Sequence, residues 1–206
     1  MNQLHSGRTR FLVIGIVLLV LALGGISVFT PFLGRARLGP MRGFGTGAMS
    51  FGMMRQVRAM ADVESEFDYM VRMVPHHQEA VESARTLLER TERPEMQEFA
   101  EDIIATQNRE IEQMQSWLSA WYPDRDRDAE YQPMMRDYSE MSGDELDLAF
   151  LQDMIPHHMA AVMMSEQLLS QVQVDHSELE SLAESIRTTQ TQEIRQMSLW
   201  MDEWFN

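Results

Sequence analysis

The chain contains the pentapeptide Met73-Val74-Pro75-His76-His77 and, 81 residues later, the pentapeptide Met154-Ile155-Pro156-His157-His158. Each is a methionine, an aliphatic residue, a proline and two adjacent histidines, and together they hold four of the six histidines of the chain. Imidazole is a common metal ligand, so a duplicated histidine pair indicates a site built from both copies. The rest of the sequence is interpreted as a scaffold that brings the copies together, or as an anchor that positions them.

The residues around the two pentapeptides repeat in the same order. Ten positions within 67–88 match ten within 148–169 at a shift of 81, and positions within 99–121 match those within 182–204 at a shift of 83. The two-residue change falls in the turn between two helices. The sequence therefore predicts two copies of one helical hairpin, packed as an all-α, antiparallel four-helix bundle with a longer central connection.

Apolar residues recur with helical spacing from about Ala61 to the end of the chain. The predicted helices cover about 62–90, 94–121, 142–171 and 175–205, which gives repeat 1 at about 62–122, a loop at 123–141 and repeat 2 at about 142–206. Ser142 and Glu145 have the spacing of a capping box at the start of the third helix. Pro75 and Pro156 remove a backbone donor, so each should kink or restart its helix just before the histidines.

The second and fourth helices have the same inward stripe at helical spacing. It reads Phe99, Ile103, Gln107, Glu110, Met114, Trp117 and Trp121 in one helix, and Leu182, Ile186, Gln190, Glu193, Met197, Trp200 and Trp204 in the other. A carboxylate on an apolar seam is costly unless it is paired or bound to a cation. Because Glu110 and Glu193 occur at the same register, each is expected to have a partner.

The first and third helices can provide that partner. His77 and His158 lie in the middle of their inward stripes. The groups expected to face each other are His77 with Glu110 and Met114, and His158 with Glu193 and Met197. His76 and His157 lie about 100° further round their helices and are expected on the flank.

The mixture of donors points to copper. Met73 and Met154 share a helix face with His77 and His158 at a spacing of four residues. Thioethers favour Cu(I), and imidazole suits both copper oxidation states. The chain has 19 methionines and no cysteine, which excludes thiolate sites and disulfides. The candidate metal ligands are His76, His77, His157, His158, Met73, Met154, Met114, Met197, Glu110 and Glu193, with Cu(I) or Cu(II) as the expected metal.

Two other functions stay open. One is a metal-dependent oxidase, for instance of Cu(I), although no residue set defines a catalytic step and the chain is not expected to be an enzyme. A ferritin-type di-iron oxidase needs Glu three residues before histidine, and these positions hold methionine or an aliphatic residue. The other is a metal-free structural or partner-binding module in which histidine bonds to glutamate. His5 and His176 are interpreted as incidental, and the four tryptophans as packing residues.

The part before the bundle has a different composition. Residues 11–33 form an uncharged apolar run long enough to cross a membrane as a helix, so a single-pass anchor is predicted. We expect a short cytoplasmic tail at 1–10, a Gly-, Met- and Arg-rich tether at 34–60, and the bundle at 61–206 outside the cytoplasm. All 32 acidic residues follow Ala61, so this surface attracts cations and repels nucleic acid.

The segments 67–77 and 148–158 are each followed by the pattern Gln-x-x-Glu-Ile-x-x-Met-x-x-Trp, at 107–117 and 190–200. Over about 62–206 the chain resembles the domain-of-unknown-function 305 family. The resemblance implies a ferritin-like bundle that is often exported, and some members bind copper in the cell envelope and are linked to copper tolerance. It implies the four paired histidines and the four methionines named above as ligands. We therefore expect a membrane-anchored copper-binding protein that either buffers copper or hands it to a partner protein.

Overall fold

The computed structural model describes residues 55, 57, 58, 62–128 and 130–206. Four helices make up the bundle, and we label them α1 (Glu66–Arg90), α2 (Pro94–Trp121), α3 (Gly143–Gln171) and α4 (Ser177–Phe205). The predicted all-α fold with four helices is confirmed in this part of the chain. In the described residues, none of the helices is both long and apolar enough to cross a membrane. The expected tail at 1–10 and anchor at 11–33 lie outside the described residues.

The helices pack as two hairpins that meet through α1 and α3. Two apolar clusters fill the two ends of the bundle. The first contains Phe67, Met70, Met73, Met114, Leu118, Met164, Leu168, Leu179 and Ile186. The second contains Leu87, Met96, Phe99, Ile103, Leu146, Phe150, Leu151, Met154 and Met197. Each cluster joins the start of one helix in a hairpin to the end of the other, so neighbouring helices run antiparallel, as expected.

Helix α2 begins at Pro94, as predicted, whereas the other three helices begin one to four residues later than expected. Helix α1 begins at Glu66, where the Ser65 hydroxyl accepts a hydrogen bond from the Asp68 amide at 3.1 Å. The capping box at the start of α3 was wrong, because the Ser142 side chain makes no cap hydrogen bond. Gly143, the first residue of α3, has a φ of 55°, so the chain enters this helix through a left-handed residue.

Two further expectations concern the prolines and the tether. Pro75 and Pro156 lie inside continuous helices, so of the two expected outcomes, a kink or a restart, the restart is excluded. The described end of the expected tether is helical at residues 55, 57 and 58, and Val57 is buried against Met134 and Ala160. The tether was predicted from its glycines, and the last of these precedes the helical residues.

The sequence repeat pairs residues of the two hairpins 81 or 83 apart, and because the hairpins meet through the equivalent helices α1 and α3, we describe this relation as a pseudo-twofold axis. One pair of sites breaks this symmetry. The Tyr69 hydroxyl and the Ser165 hydroxyl share a buried hydrogen bond of 2.9 Å. Their counterparts, Phe150 and Ala84, lie in the second apolar cluster. Because both polar partners are replaced together, neither hydroxyl is left buried without a partner.

The two ends of the bundle have matching arrangements. At each end a tryptophan ring packs against a histidine or arginine side chain, which also pairs with a carboxylate. At one end His176 stacks on Trp121 with ring centroids 3.7 Å apart and binds Glu66 at 2.8 Å. His176 is therefore part of the end packing, and its interpretation as incidental was wrong. At the other end the Arg93 guanidinium lies 4.6 Å from the Trp204 ring, and its Nε lies 3.2 Å from Asp147.

Glu66 should stabilise the fold only while it is ionised. Burial alone would raise its pKa, but hydrogen bonds from His176, Tyr122 and the Asp175 amide outweigh burial and hold the pKa below its ordinary 4.5. Glu66→Gln should therefore lower the free energy of unfolding by about 1.5–3 kcal/mol at neutral pH. This difference should disappear as the pH falls through the folded pKa, which urea denaturation at about pH 7 and pH 3 measures.

Asp147→Asn is the matched control at the other end of the bundle. Burial raises the pKa of Asp147, so its contribution to stability has the opposite dependence on pH. The difference between the wild type and this variant should not shrink on acidification. If the Glu66→Gln difference is the same at both pH values, the ionised network at Glu66 does not stabilise the fold.

Candidate metal centre

A layer of polar side chains crosses the middle of the bundle between the two apolar clusters. This central polar layer consists of His76, His77, Gln107, Glu110, His157, His158, Gln190 and Glu193. All four histidines are fully buried, and every member except the half-buried Glu193 is less than a tenth exposed. The pseudo-twofold axis relates each residue of the layer to another residue of the layer. The polar groups of both repeats are therefore collected into one cross-section.

The expected histidine–glutamate pairs are present. His77 Nε2 lies 2.9 Å from Glu110 Oε2, and His158 Nε2 lies 2.7 Å from Glu193 Oε2. A carboxylate accepts hydrogen bonds, so each Nε2 is the donor, and in the neutral ring the lone pair is on Nδ1. Both Nδ1 atoms are buried without a hydrogen-bond partner. Histidines that bind metals commonly donate from the other ring nitrogen to a carboxylate in this way.

His76 and His157 lie on the flanks of their helices, as expected, but these flanks are fully buried. Helix α1 packs against α3, so the flank of each helix is the interface between them. The two rings stack there with centroids 3.7 Å apart and planes inclined by 31°. His157 Nε2 lies 3.3 Å from Glu79 Oε2, whereas neither nitrogen of His76 has a hydrogen-bond partner.

Burial keeps both stacked rings neutral. It is the main cause that lowers the pKa of His76 well below its ordinary value, and it lowers the pKa of His157 to about 4. The neighbouring imidazoles act in the same direction, because a second positive charge nearby is unfavourable. A neutral imidazole has a nitrogen lone pair available, which is the form that binds metals.

The four imidazoles form a row across the bundle. Taken in the order His77, His76, His157 and His158, the successive ring centroids are 6.1, 3.7 and 6.2 Å apart. In the described part of the chain, no three His, Asp or Glu side chains are already placed to hold one metal ion together. Metal binding at this row therefore requires some of the side chains to change their rotamers.

The four candidate methionines are fully buried beside the row. Met73 and Met114 belong to the first apolar cluster, and Met154 and Met197 belong to the second. Each follows or precedes a member of the central polar layer by four residues, a rise of about 6 Å along the helix. The structure thus brings histidine and glutamate into contact, and it leaves the thioethers about one turn away in the apolar packing.

Glu79 and Tyr131 belong to the surroundings of the row and were not predicted. The Glu79 carboxylate accepts hydrogen bonds from the Tyr131 hydroxyl and from the Met134 and Met135 amides, the latter two at 2.9 and 3.0 Å. The rings of Tyr131 and His76 lie edge to face, with centroids 6.3 Å apart. Residues 130–142, the covering loop, are thereby held beside the histidines. The available signal was a break in the repeat, since the counterpart of Glu79 is Ala160.

The fold and this layer define a helical-bundle protein with buried, neutral nitrogen donors. The chain belongs to the family described as Domain of unknown function (DUF305), whose model matches residues 66–201. This confirms the family resemblance seen in the sequence.

Several solved structures are similar to the chain. CopM in the Cu(II)-bound form is 33% identical, over 68% of this chain and 99% of that one, with a TM-score of 0.60. CopM in the Cu(I)-bound form is 34% identical, over 68% and 97%, with a TM-score of 0.61. A putative secreted DUF305 protein from Streptomyces coelicolor is 26% identical, over 68% and 93%, with a TM-score of 0.59.

A curated relative matches a shorter part of the chain. The uncharacterized protein L153 of Acanthamoeba polyphaga mimivirus is 34% identical over 62 residues, which is 30% of this chain. The chain spans 40% of the length of that relative.

Replacing His76 and replacing His77 by phenylalanine should change the free energy of unfolding in opposite directions. In the copper-free protein, His76→Phe removes two buried nitrogens without partners and keeps an aromatic ring against His157, so it should raise the free energy of unfolding by about 1–3 kcal/mol. His77→Phe should lower it by about 3–5 kcal/mol, because Glu110 loses its buried partner.

Urea denaturation of the copper-free full-length variants measures both changes. A His76→Phe variant that is as strongly destabilised as His77→Phe would contradict this account. It would mean that His76 has a stabilising polar partner in the absence of metal.

Proposed function

We propose that this protein binds copper at the row of four imidazoles, and that the copper is cargo to be buffered rather than a catalytic cofactor. The observation behind this proposal is that five nitrogens of these imidazoles are buried with neither a hydrogen-bond nor an ion-pair partner: His76 Nδ1, His76 Nε2, His77 Nδ1, His157 Nδ1 and His158 Nδ1. Leaving such groups unpaired is costly, and a bound metal ion would satisfy them. The similarity to CopM, solved with Cu(I) and with Cu(II), supports copper.

The surroundings of the row favour a soft or borderline metal. The stacked rings are neutral nitrogen donors, and thioethers lie about one helical turn from His77 and His158 in the apolar clusters. Copper in both oxidation states accepts imidazole, and Cu(I) also accepts thioether sulfur. Methionine side chains are flexible, so Met73 and Met154 can reach a metal by a rotamer change without moving the backbone.

The geometry of the rings favours two copper positions per chain. The stacked His76 and His157 rings lie face against face, with centroids 3.7 Å apart, and this separation is shorter than that of two imidazoles bound to one metal ion. The centroids of adjacent histidines are 6.1 and 6.2 Å apart. Two imidazoles on one metal ion, with metal–nitrogen bonds of about 2.0 Å, have centroids roughly 5–6.5 Å apart. Each repeat therefore supplies one position, with its own histidine pair and its own methionines.

Glu110 and Glu193 were expected to be metal ligands, but their hydrogen bonds indicate that they position the histidine ligands. Each accepts a hydrogen bond from Nε2 of its histidine, which fixes the ring and keeps the lone pair on Nδ1. They position the ligands, and they need not touch the copper ion. This arrangement also keeps each carboxylate paired when copper is absent.

In the cell, the apolar run at 11–33 would anchor the bundle outside the cytoplasm, where it would buffer copper or pass it to a partner protein. The extracytoplasmic side is inferred from the short basic tail that precedes the run. The alternative is a metal-free structural module, which the two histidine–glutamate hydrogen bonds favour. Copper titration separates the two functions.

Anaerobic titration of the full-length protein with Cu(I) should show about two ions bound per chain. His76→Phe combined with His77→Phe should remove one of them, and replacing all four histidines should remove both. His176→Gln, at the end of the bundle, is the control and should still bind two. Copper should also raise the melting temperature, because a ligand of the native state stabilises it. A wild type that binds no more copper than the fourfold variant would exclude the proposed function.

A further inference from the structure

A polar cavity lies between α2 and α4, the helices that do not contain the paired histidines. Its polar lining consists of Thr106, Gln107, Glu110, Thr189, Gln190 and Glu193. The volume is about 10 Å³, close to the smallest cavity that holds one water molecule or one ion. The lining residues are pairs related by the pseudo-twofold axis, so equivalent groups of the two helices face the same space.

Two amide oxygens in this lining have no partner. Gln107 is 3% exposed and Gln190 is 4% exposed, and Oε1 of each is buried without a hydrogen bond among the described residues. Buried polar atoms are almost always paired, so two unpaired oxygens at one cavity indicate a missing shared partner. Neither glutamine contacts the imidazole row through a hydrogen bond, which makes this partner distinct from the copper ions proposed there.

The carboxylates add negative charge to the same small space. Glu110 and Glu193 each use Oε2 for a histidine, and each has a second carboxylate oxygen available. Two carboxylates that line one cavity repel each other unless a cation or a proton lies between them. A water molecule would satisfy the amide oxygens, but it would leave this repulsion in place.

We propose that this cavity binds one hard divalent cation of the calcium class. Every donor in the lining is oxygen, from carboxylate, amide or hydroxyl groups, which are the ligands that Ca²⁺ accepts and Cu(I) does not favour. Solvent reaches the cavity beside Glu193, so water can complete the coordination. The Arg109 guanidinium donates to the Thr106 hydroxyl at 3.2 Å and offsets part of the negative charge. The expected dissociation constant is therefore weak, about 0.1–1 mM.

The test is the melting temperature of the copper-free, full-length protein with CaCl₂, with NaCl used to keep the ionic strength constant. At a calcium concentration about 100 times the dissociation constant, the melting temperature should rise by about 5–10 °C. Gln107→Leu combined with Gln190→Leu removes the two amide oxygens, and it should abolish the rise. Gln113→Leu combined with Gln196→Leu is the matched control, because these glutamines are also related by the pseudo-twofold axis but are exposed.

The experiments can contradict the proposed copper site and the proposed calcium site independently of each other. Replacing His76 and His157 by phenylalanine should abolish copper uptake and leave the calcium-dependent rise intact. The Gln107→Leu/Gln190→Leu variant should still bind copper, which also shows that it is folded. No rise in the wild type would mean that the cavity holds one ordered water only, and it would overturn the proposal. A rise that persists in the Gln107→Leu/Gln190→Leu variant would overturn it as well, because calcium would then bind elsewhere on the acidic surface.

Discussion

The central polar layer depends on the two histidine–glutamate hydrogen bonds, because each allows a carboxylate to lie in the middle of an apolar seam. Without His77, Glu110 would be a buried charge with no partner, and the same holds for Glu193 without His158. Each bond joins the two helices of one hairpin at mid-height. The pairs therefore set the register of each hairpin, and this register brings the remaining polar groups into one layer.

Two kinds of potential metal ligand lie on opposite sides of the central polar layer. The stacked His76 and His157 lie at the interface of α1 and α3, where burial keeps them neutral. Oxygen donors line the cavity between α2 and α4. The nitrogen donors on one side favour copper, and the oxygen donors on the other side favour hard cations. Glu110 and Glu193 contact both sides, so a metal ion bound at either side would act on carboxylates that also orient His77 and His158.

The pairing of His77 with Glu110 could be predicted from sequence, because both residues lie in the middle of stripes whose helices form an antiparallel hairpin. The burial of His76 could not, since it depends on which helix packs against the flank of α1, and the periodicity of one helix contains no such information. Glu79 and Tyr131 were missed because the covering loop has no periodic pattern, and its path depends on tertiary contacts. The repeat itself was the most informative signal, and its exceptions were as informative as its matches.

One such exception is the buried pair of Tyr69 and Ser165, whose counterparts are Phe150 and Ala84. If two copies of the first hairpin associated, Tyr69 would face Ala84, and its hydroxyl would be buried without an acceptor. Two copies of the second hairpin would leave Ser165 against Phe150, with the same defect. Each hairpin is therefore complementary to the other and not to itself. This difference disfavours bundles built from two copies of the same hairpin and favours the pairing of a first with a second hairpin.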